Sequence, residues 1–490
     1  MVTPCKIGSP AGQTNGASGP ETASGAAAAE ASVPIPPETE ALVQDQTSAP
    51  VLEPSPAAAL PTALIPAPAS TGASIEALYA DSQPRSTSPS DPASLRVPPS
   101  APSSLSASKA LLFSAASGLA VANIYYAQPL LDALASEFGV APAAVGLVVT
   151  VTQICYALGL LLLVPLGDLL NRRRLITVQM LLSAGALLIA GTAPSAPVLL
   201  GGLAAVGLLA VVTQVLVAYA STLASSDERG RVVGVVQSGI VIGILLARTF
   251  AGTLTDLAGW RSVYLTSALL MFVTGAALYR ILPNVPHTKT ELSYPRLLRS
   301  VFALFIEERL LRIRAVLAFL IFTVFSTLWT ALVLPLSSPP LSLSHTAVGA
   351  FGLAGAAGAL AAARAGRLAD RGLGQRTTGL ALVLLLASWG FIGFTPHSLA
   401  AAVIGVILLD LAVQAVHVTN QSLIFTVRPE ARSRLTAGYM IFYSLGSATG
   451  AIASTSLYAI GGWNGVCLFG AAVSGLALLF WAVTRGHGPE

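Results

Sequence analysis

Charged residues are scarce in this chain: they occupy 10% of the 490 positions, whereas apolar residues occupy 54% and the mean hydropathy is +0.74. Soluble domains carry about 25% charged residues, so this composition excludes a core that is surrounded by water. Strict alternation of apolar and polar residues, which is typical of half-buried strands, is also lacking. Both absences favour apolar helices.

Recognisable reaction chemistry is equally sparse. The three cysteines, Cys5, Cys155 and Cys467, are too far apart for a metal or redox motif. The sequence has no glycine-rich phosphate loop followed by Lys and Ser or Thr, so ATP is not expected to be the energy source. No Ser/His/Asp arrangement indicates a nucleophile, and the basic residues border apolar runs rather than form a nucleic-acid patch. We therefore expect no enzymatic activity, no cofactor, no metal ion and no nucleic acid.

Long apolar runs are abundant in the chain. From Lys109 onward there are about twelve runs of roughly 18–25 residues, each long enough to cross a hydrocarbon layer about 30 Å thick. Backbone groups in lipid must be paired within their own segment, so these runs are predicted to be helices. The predicted fold class is an all-α membrane protein with 12 transmembrane helices in two six-helix halves. The predicted spans are 109–132, 144–166, 175–193, 198–223, 232–256, 263–282, 315–337, 347–365, 377–395, 399–425, 435–460 and 463–483.

Two segments differ from the apolar runs. Residues 1–108 are rich in Ala, Pro, Ser, Thr and Glu and poor in aromatics, so they are predicted to be a disordered low-complexity tail. Residues 283–314 are predicted to be a cytoplasmic linker, in which LLRSVFALFIEERLLRIR has the spacing of an amphipathic helix in the membrane interface. The linker separates an N-terminal six-helix bundle, residues 109–282, from a C-terminal bundle, residues 315–490.

The basic residues are distributed unevenly along the membrane domain. Of the 23 Lys and Arg residues beyond Ser108, 21 lie in even-numbered loops or at the two ends of that domain. The exceptions are Arg248, inside a span, and Arg261, on the other side. By the positive-inside rule this asymmetry predicts a multi-pass protein of the plasma or inner cell membrane with both termini in the cytoplasm.

A polar loop recurs at matching points of the two halves. PLGDLLNRRRL, residues 165–175, has a second version in AGRLADRGLGQR, residues 365–376. ERGRVVGVVQSG likewise recurs loosely as ARSRLTAGYMIF, and GWRSVYLTSA recurs as GWNGVCLFGA, all at offsets of about 202–203 residues. Three landmarks at one spacing indicate that the halves arose by duplication. Such halves usually enclose a site near the membrane midplane and rock against each other around it.

The repeated loop resembles the loop between helices 2 and 3 of major facilitator superfamily transporters, and the resemblance covers about residues 109–485. NIYYAQPLL, GILLARTFAG and LLDLAVQAVHVTNQSL resemble a bacterial branch described as drug or sugar efflux permeases. Two motifs differ from those of the family's proton antiporters. The fourth span contains no arginine, and the fifth has Gly239 and Gly243 but no proline.

The resemblance implies a secondary transporter, with export of a small drug-like or sugar-like solute in exchange for protons as the leading interpretation. Proton-coupled uptake is one alternative, and a transporter-like sensor or scaffold that moves no solute is another. The expected partners are a small-molecule substrate, protons and membrane lipids, and a monomer is expected.

The repeated loop also predicts gating residues. Asp168 and its counterpart Asp370 can cap a helix or pair with arginine and so hold a gate closed in one state. The arginines are expected to fix topology and bind anionic headgroups. The predicted gating residues are Gly167, Asp168, Arg172, Gly366, Asp370 and Arg371.

Titratable side chains inside spans are costly and therefore indicate function. Asp410, Gln414, His417 and Gln421 follow at i, i+4, i+7 and i+11 and so share one face of the tenth helix. Asp410 is predicted to carry a proton, and His417 could titrate near neutral pH. A polar seam that only holds helices together is the alternative.

Arg248 lies inside the fifth span and requires a partner acid. Asp132, at the far end of the first span, is at a comparable depth, so an Asp132–Arg248 pair that breaks on protonation is predicted. A purely structural ion pair is the alternative, and Asp256 is a less suitable partner. The predicted proton-coupling residues are thus Asp410, His417, Asp132 and Arg248.

Hydrogen-bonding and aromatic side chains scattered through the spans are suited to lining a mostly apolar solute cavity. The spans contain no cluster of several charged residues, so a highly charged substrate is not expected. The predicted substrate-binding residues are Asn123, Tyr126, Gln128, Gln153, Gln214, Gln237, Trp329, Gln414, Gln421 and Tyr443.

Overall fold

The structure is a computed structural model that describes residues 106–141, 143–225, 228–283, 293–361, 363–428 and 431–487. Within these ranges the side chains at positions 168, 360–364, 366, 369, 370, 432, 433 and 487 are not described. The predicted tail, apart from its last residues, lies outside the described residues.

All regular structure in the described ranges is helical, as the apolar runs predicted. Short 3-10 turns occupy Gln128–Leu130 and Val164–Asp168. The helices are α1 Ala107–Ala122, α2 Leu131–Phe138, α3 Leu147–Leu162, α4 Arg172–Gly191, α5 Ala196–Leu209, α6 Val212–Leu223, α7 Arg229–Ala258, α8 Trp260–Ile281, α9 Tyr294–Glu307, α10 Arg309–Ala331, α11 Val333–Ser337, α12 His345–Ala361, α13 Ala363–Leu368, α14 Gly374–Ile392, α15 Leu399–Val427 and α16 Arg432–Thr484.

Twelve membrane crossings can be followed through the described residues. Nine helical stretches of this described part are long and apolar enough to span by length and composition. The longest of them, Arg434–Thr484, bends at Gly462, which has a φ of 59°, and so consists of two crossings. The shorter apolar helices α1 and α12 supply the remaining two. The predicted all-α class is therefore confirmed.

The predicted amphipathic stretch in the linker is divided between two helices. α9 ends at Glu307, and Glu308 has an extended backbone, so RLLRIR belongs to the first turns of α10 rather than to the interfacial helix. α9 packs against α16, where the ring of Phe305 contacts Gly438. Glu307 and Glu308 both pair with Arg428, at 2.9 and 2.7 Å.

Small residues allow the helices to approach closely. α1 and α7 cross where Gly118 faces Gly239 and Gly243, and a Cβ on any of these glycines would strike the backbone of the facing helix. α7 meets α12 in the same way at Gly349, whose missing Cβ leaves room for the Arg248 carbonyl. These two crossings place α7, which carries Arg248, between the two halves.

The ends of the helices that carry Arg172, Arg229, Arg309 and Arg428 form the arginine-rich side of the bundle, and the other ends form the opposite side. At the opposite side the halves are in contact. Thr150 on α3 donates to the carbonyl of Ala448 on α16 at 3.1 Å. Thr249 on α7 donates to the carbonyl of Gly349 on α12 at 3.0 Å. Cavities between the halves instead reach the arginine-rich side.

Candidate functional site

Arg248 is the first element of a polar layer in the middle of the bundle. It is 2% exposed and projects from α7, and its Nε donates to the side-chain oxygen of Gln128 at 2.9 Å. Its guanidinium carbon lies 3.8 Å from the centroid of the Trp329 ring on α10. A buried guanidinium over an indole face is a favourable cation–π arrangement. The contact joins the N-terminal half to the C-terminal half.

Asp410 completes this layer from α15. It is 2% exposed, and one carboxylate oxygen accepts the indole N–H of Trp329 at 3.1 Å. The other carboxylate oxygen lies against Gly355 of α12, where a Cβ would displace it. One indole therefore contacts a cation from one half and an anion from the other half. We call Gln128, Arg248, Trp329 and Asp410 the charge layer.

The predicted Asp132–Arg248 pair is wrong for this conformation. Asp132, in the first turn of α2, instead accepts from Nε2 of His345 at 3.2 Å. Nδ1 of the same imidazole lies 3.0 Å from Asp256 of α7. The backbone N–H of Thr346 also donates to Asp256, at 2.7 Å. His345, at the start of α12, thus links two acids of the N-terminal half on the opposite side of the bundle.

The pKa of His345 is shifted at this link. The hydrogen bond to Asp132 is the largest influence on His345 and raises its pKa above the ordinary value, while partial burial acts in the other direction. Asp132 and Asp256 are the titratable groups that face the imidazole, from α2 and α7 respectively. We call His345, Asp132 and Asp256 the histidine link.

An inner chamber of about 220 Å³ lies beside the charge layer, toward the arginine-rich side. It is lined from both halves, and no Asp, Glu, Lys or Arg is among its described lining residues. Aromatic rings and amide groups alternate in this lining with aliphatic side chains such as Ile240 and Met440. Its polar and aromatic members are Tyr125, Tyr156, Thr213, Gln214, Gln237, Phe322, Phe325, Gln414, His417, Gln421, Thr436 and Tyr443.

A larger vestibule of about 730 Å³ continues from the chamber to the arginine-rich side. The two cavities share Gln214, Gln237 and Gln421, so they form one path. The mouth of the vestibule is lined by Arg172 and Arg229. The site is therefore accessible from the arginine-rich side and closed toward the opposite side.

The polar face predicted for the tenth helix is directed into the chamber for most of its length. Gln414, His417 and Gln421 all line the chamber, whereas Asp410 lies in the charge layer. His417 is held by a hydrogen bond between its Nδ1 and the Tyr439 hydroxyl at 2.9 Å. The face therefore combines a charged group with uncharged solute-facing groups, one helical turn apart.

The predicted substrate-binding residues separate into two groups. Gln214, Gln237, Gln414, Gln421 and Tyr443 line the chamber. The other five are buried but lie outside that lining. Gln128 and Trp329 belong to the charge layer, and Tyr126 packs on Phe250. The Asn123 side chain and the side-chain oxygen of Gln153 have no hydrogen-bond partner among the described residues.

The predicted gating loop is only partly described. Arg172 donates through Nε to the carbonyl of Gly167 at 2.9 Å, which secures the turn between α3 and α4. Arg371 is exposed. The side chains of Asp168 and Asp370, and the surroundings of Gly366, lie outside the described set. The gating role of these residues stays a prediction.

Several chamber residues were not among the predicted ones. Phe322 and Phe325 precede Trp329 on α10 by seven and four residues, so the three lie on one helical face. That spacing could have identified the aromatic wall. His345 carried no such signal, because its partners are 213 and 89 residues away in sequence.

Comparison with known proteins agrees with this architecture. The family model described as Major Facilitator Superfamily matches residues 112–392 and 314–490. The chain is 50% identical over 377 residues to the uncharacterized transporter YgaY of Escherichia coli O157:H7, which covers 77% of this chain and 95% of that protein. It is 32% identical over 410 residues to the "Probable transporter SCO4007" of Streptomyces coelicolor, and the match covers 82% of this chain and 94% of that protein.

Solved structures show the same fold at low sequence identity. A bacterial homologue of the human lysosomal transporter Spinster, in an inward-facing and occupied conformation, superposes with a TM-score of 0.63 at 13% identity, covering 77% of this chain and 96% of that one. A point mutant of the nucleoside transporter NupG superposes with a TM-score of 0.61 at 14% identity, and the match covers 76% of this chain and 99% of that one. Sequence and fold together establish that this multi-pass membrane protein belongs to the major facilitator superfamily of secondary transporters.

Proposed function

We propose that this protein exports a small organic solute, of drug-like or sugar-like size, in exchange for protons by alternating access. The observation that carries the proposal is the charge layer, in which Trp329 contacts Arg248 from one half and Asp410 from the other. A buried carboxylate next to the contact between two moving halves is placed to couple its own protonation to their separation.

The proposed coupling step follows from the charges in the layer. With Asp410 ionised, Arg248 is attracted toward the C-terminal half and its charge is balanced. A proton that arrives on Asp410 removes that balance and leaves Arg248 as the uncompensated charge of the layer. The attraction across the interface weakens, and the two halves then exchange between the states open to either side.

Orientation belongs to the same proposal. The protein then lies in the inner membrane. By the positive-inside rule its arginine-rich side and both termini face the cytoplasm, and the vestibule opens to it. Solute would then enter through the vestibule and leave at the opposite side. Protons would enter from the opposite side, reach Asp410 and be released to the cytoplasm.

The test begins with a substrate screen. Thermal shifts of the purified chain against drugs, sugars and metabolites identify solutes that bind the folded state, because such ligands raise its stability. Flux of each hit is then measured in proteoliposomes with and without a pH gradient. We expect Asp410→Asn to abolish gradient-driven flux and to retain solute exchange at equal pH.

Glu137→Gln is the matched control, since Glu137 is an exposed acid paired with Arg261 far from the charge layer. It is expected to transport as the native chain does. Unchanged proton-driven flux in Asp410→Asn would exclude this residue as the proton carrier. Accumulation together with protons would identify uptake instead of export, and absence of flux for every hit would leave the sensor interpretation.

A further inference from the structure

We propose that the inner chamber selects uncharged solutes that have a flat aromatic face and several hydrogen-bonding groups, and that Gln414 and Gln421 are specificity-determining residues. This inference rests on the proposed function, because it names the substrate class of the same site. It is carried by the composition and layout of the chamber, which differ from those of the charge layer beside it.

No Asp, Glu, Lys or Arg is among the described lining residues of the chamber, and His417 is hydrogen-bonded to the Tyr439 hydroxyl. Moving an isolated charge from water into such surroundings is costly unless a partner of opposite sign is present. The nearest charges, Arg248 and Asp410, contact Trp329, and Arg248 also bonds to Gln128. The Arg248 guanidinium lies 5.3 Å from the Tyr125 ring centroid and 5.5 Å from that of Phe325, and its Nη2 has no partner among the described residues. A cationic solute in the chamber would therefore lose its hydration without gaining an ion pair. An anionic solute would gain one only by reaching Arg248 past the rings of Tyr125 and Phe325.

The charge layer is displaced from the chamber by about one helical turn on each contributing helix. Ile244 and Phe325 line the chamber, and Arg248 and Trp329 follow them by four residues toward the opposite side. Gln414 lies four residues from Asp410 in the other direction along the membrane. A solute in the chamber can thus be close to the coupling carboxylate while being recognised by uncharged groups.

Four carboxamides supply the polar recognition. Gln214 and Gln237 come from the N-terminal half, and Gln414 and Gln421 from the C-terminal half. Each carboxamide offers donors and an acceptor, so together they suit a neutral solute with both kinds of group. Because they are contributed equally by both halves, a solute bonded to all four would hold the halves together around it.

Aromatic rings supply the apolar recognition. Phe322 packs on Tyr443 with ring centroids 3.8 Å apart and stands edge-on to His417 at 5.2 Å. Tyr125 reaches the Tyr443 hydroxyl from the other half. Phe325 and Tyr156 complete the aromatic lining. Aromatic rings from both halves favour a solute with an aromatic ring that packs among them.

Four matched probes separate charge from shape. N-acetyltryptophanamide is uncharged and aromatic, N-acetyltryptophan is the anion and tryptophanamide is the cation, all with the same indole. N-acetylleucinamide is uncharged but aliphatic. Dissociation constants are measured by calorimetry on the purified full chain in detergent, without a pH gradient. We expect N-acetyltryptophanamide to bind at least about tenfold more tightly than the two charged probes, since an unpaired buried charge costs more than one tenfold step. It should also bind more tightly than N-acetylleucinamide, which lacks the ring that packs against the aromatic lining.

The chamber variants are Gln414→Leu and Gln421→Leu, which keep side-chain size and remove the amide. Each is expected to raise the dissociation constant of N-acetyltryptophanamide by about three- to tenfold, because one neutral hydrogen bond is lost. Gln179→Leu is the control, because Gln179 is a buried glutamine of α4 whose amide atoms are unpartnered among the described residues, and it lies outside the described chamber lining. Its affinity should match that of the native chain, and thermal unfolding checks that every variant is folded.

The proposal is overturned if either charged probe binds as tightly as N-acetyltryptophanamide, if N-acetylleucinamide does so, or if no probe binds at millimolar concentration. Equal effects of Gln179→Leu and both chamber variants would also overturn it. These binding results do not depend on proton coupling, whereas Asp410→Asn tests coupling without requiring any particular substrate class. Failure of one proposal is therefore distinguishable from failure of the other.

Discussion

The guanidinium carbon of Arg248 lies 3.8 Å from the centroid of the Trp329 ring, and this contact joins α7 of one half to α10 of the other. The same indole donates its N–H to Asp410 at 3.1 Å. Trp329 therefore has two separable functions, a π face for the cation and a donor for the acid. The donor can be removed while a ring face is kept.

Trp329→Phe retains a ring face for Arg248 but removes the donor to Asp410. We expect the pH dependence of transport to shift while the protein remains folded, because Asp410 loses its hydrogen bond and the cation keeps its ring. Trp329→Leu removes both contacts and should cost a further 0.5–2 kcal/mol or so of stability. The measurements are pH profiles of flux and thermal unfolding. Identical pH profiles for Trp329→Phe and the native chain would contradict this division of functions.

A double-mutant cycle tests which acid is coupled to Arg248. Arg248→Gln and Asp410→Asn should be non-additive by about 0.5–3 kcal/mol in unfolding free energy, since both groups contact one indole. Arg248→Gln and Asp132→Asn should be additive to within about 0.5 kcal/mol, because Asp132 contacts His345 instead. The opposite pattern would show that the sequence-based pairing dominates in solution.

Gly355→Ala tests how closely Asp410 is confined. A Cβ at this position would collide with the Asp410 carboxylate and lie 3.0 Å from the Trp329 ring. We expect proton-driven flux to fall by an order of magnitude or more as the acid is displaced by about 1 Å. Gly390→Ala is the matched control, because a Cβ there would meet no described atom within 4 Å. Equal flux in the two variants would mean that the position of Asp410 is not restricted by α12.

The histidine link should make stability depend on pH. Hydrogen bonding to Asp132 raises the pKa of His345 above 6.5 in the folded protein. The stabilisation is therefore fully present below pH 6.5 and is lost as the pH rises through the raised pKa. We expect His345→Gln to lower the unfolding temperature by about 2 °C in the acidic range, with a difference that disappears at higher pH.

His397→Gln serves as the control for the histidine link. His397 lies in the turn between α14 and α15, and its ring contacts neither Asp132 nor Asp256. Its unfolding temperature should follow that of the native chain at every pH. A constant difference between His345→Gln and the native chain across the pH range would indicate packing rather than protonation.

The coarse architecture could be predicted because it depends on local and periodic properties. Apolar length predicts a crossing, since a lipid-embedded backbone must pair internally. The helical period put Gln414, His417 and Gln421 on one face, and all three line the chamber. Helix ends were less predictable: the break at Glu308 interrupts a continuous amphipathic pattern.

Pairing between distant helices could not be predicted in the same way. Depth in the membrane made Asp132 an acceptable partner for Arg248, but depth does not give the direction in which a side chain points. The close glycine crossings of α7 with α1 and α12 rotate Arg248 toward Trp329. They also bring His345, absent from every predicted site, between Asp132 and Asp256.

By itself the sequence determined an all-helical membrane protein of two halves, with most of its arginines on one side. Burial of the backbone in lipid and the placement of charge are properties of each segment alone. Only the tertiary structure decided that Arg248 and Asp410 contact one indole, that four glutamines share an uncharged chamber, and that His345 links two acids. Those relationships depend on how helices from two halves are rotated against each other, and that rotation is set by close packing of small residues far apart in the chain.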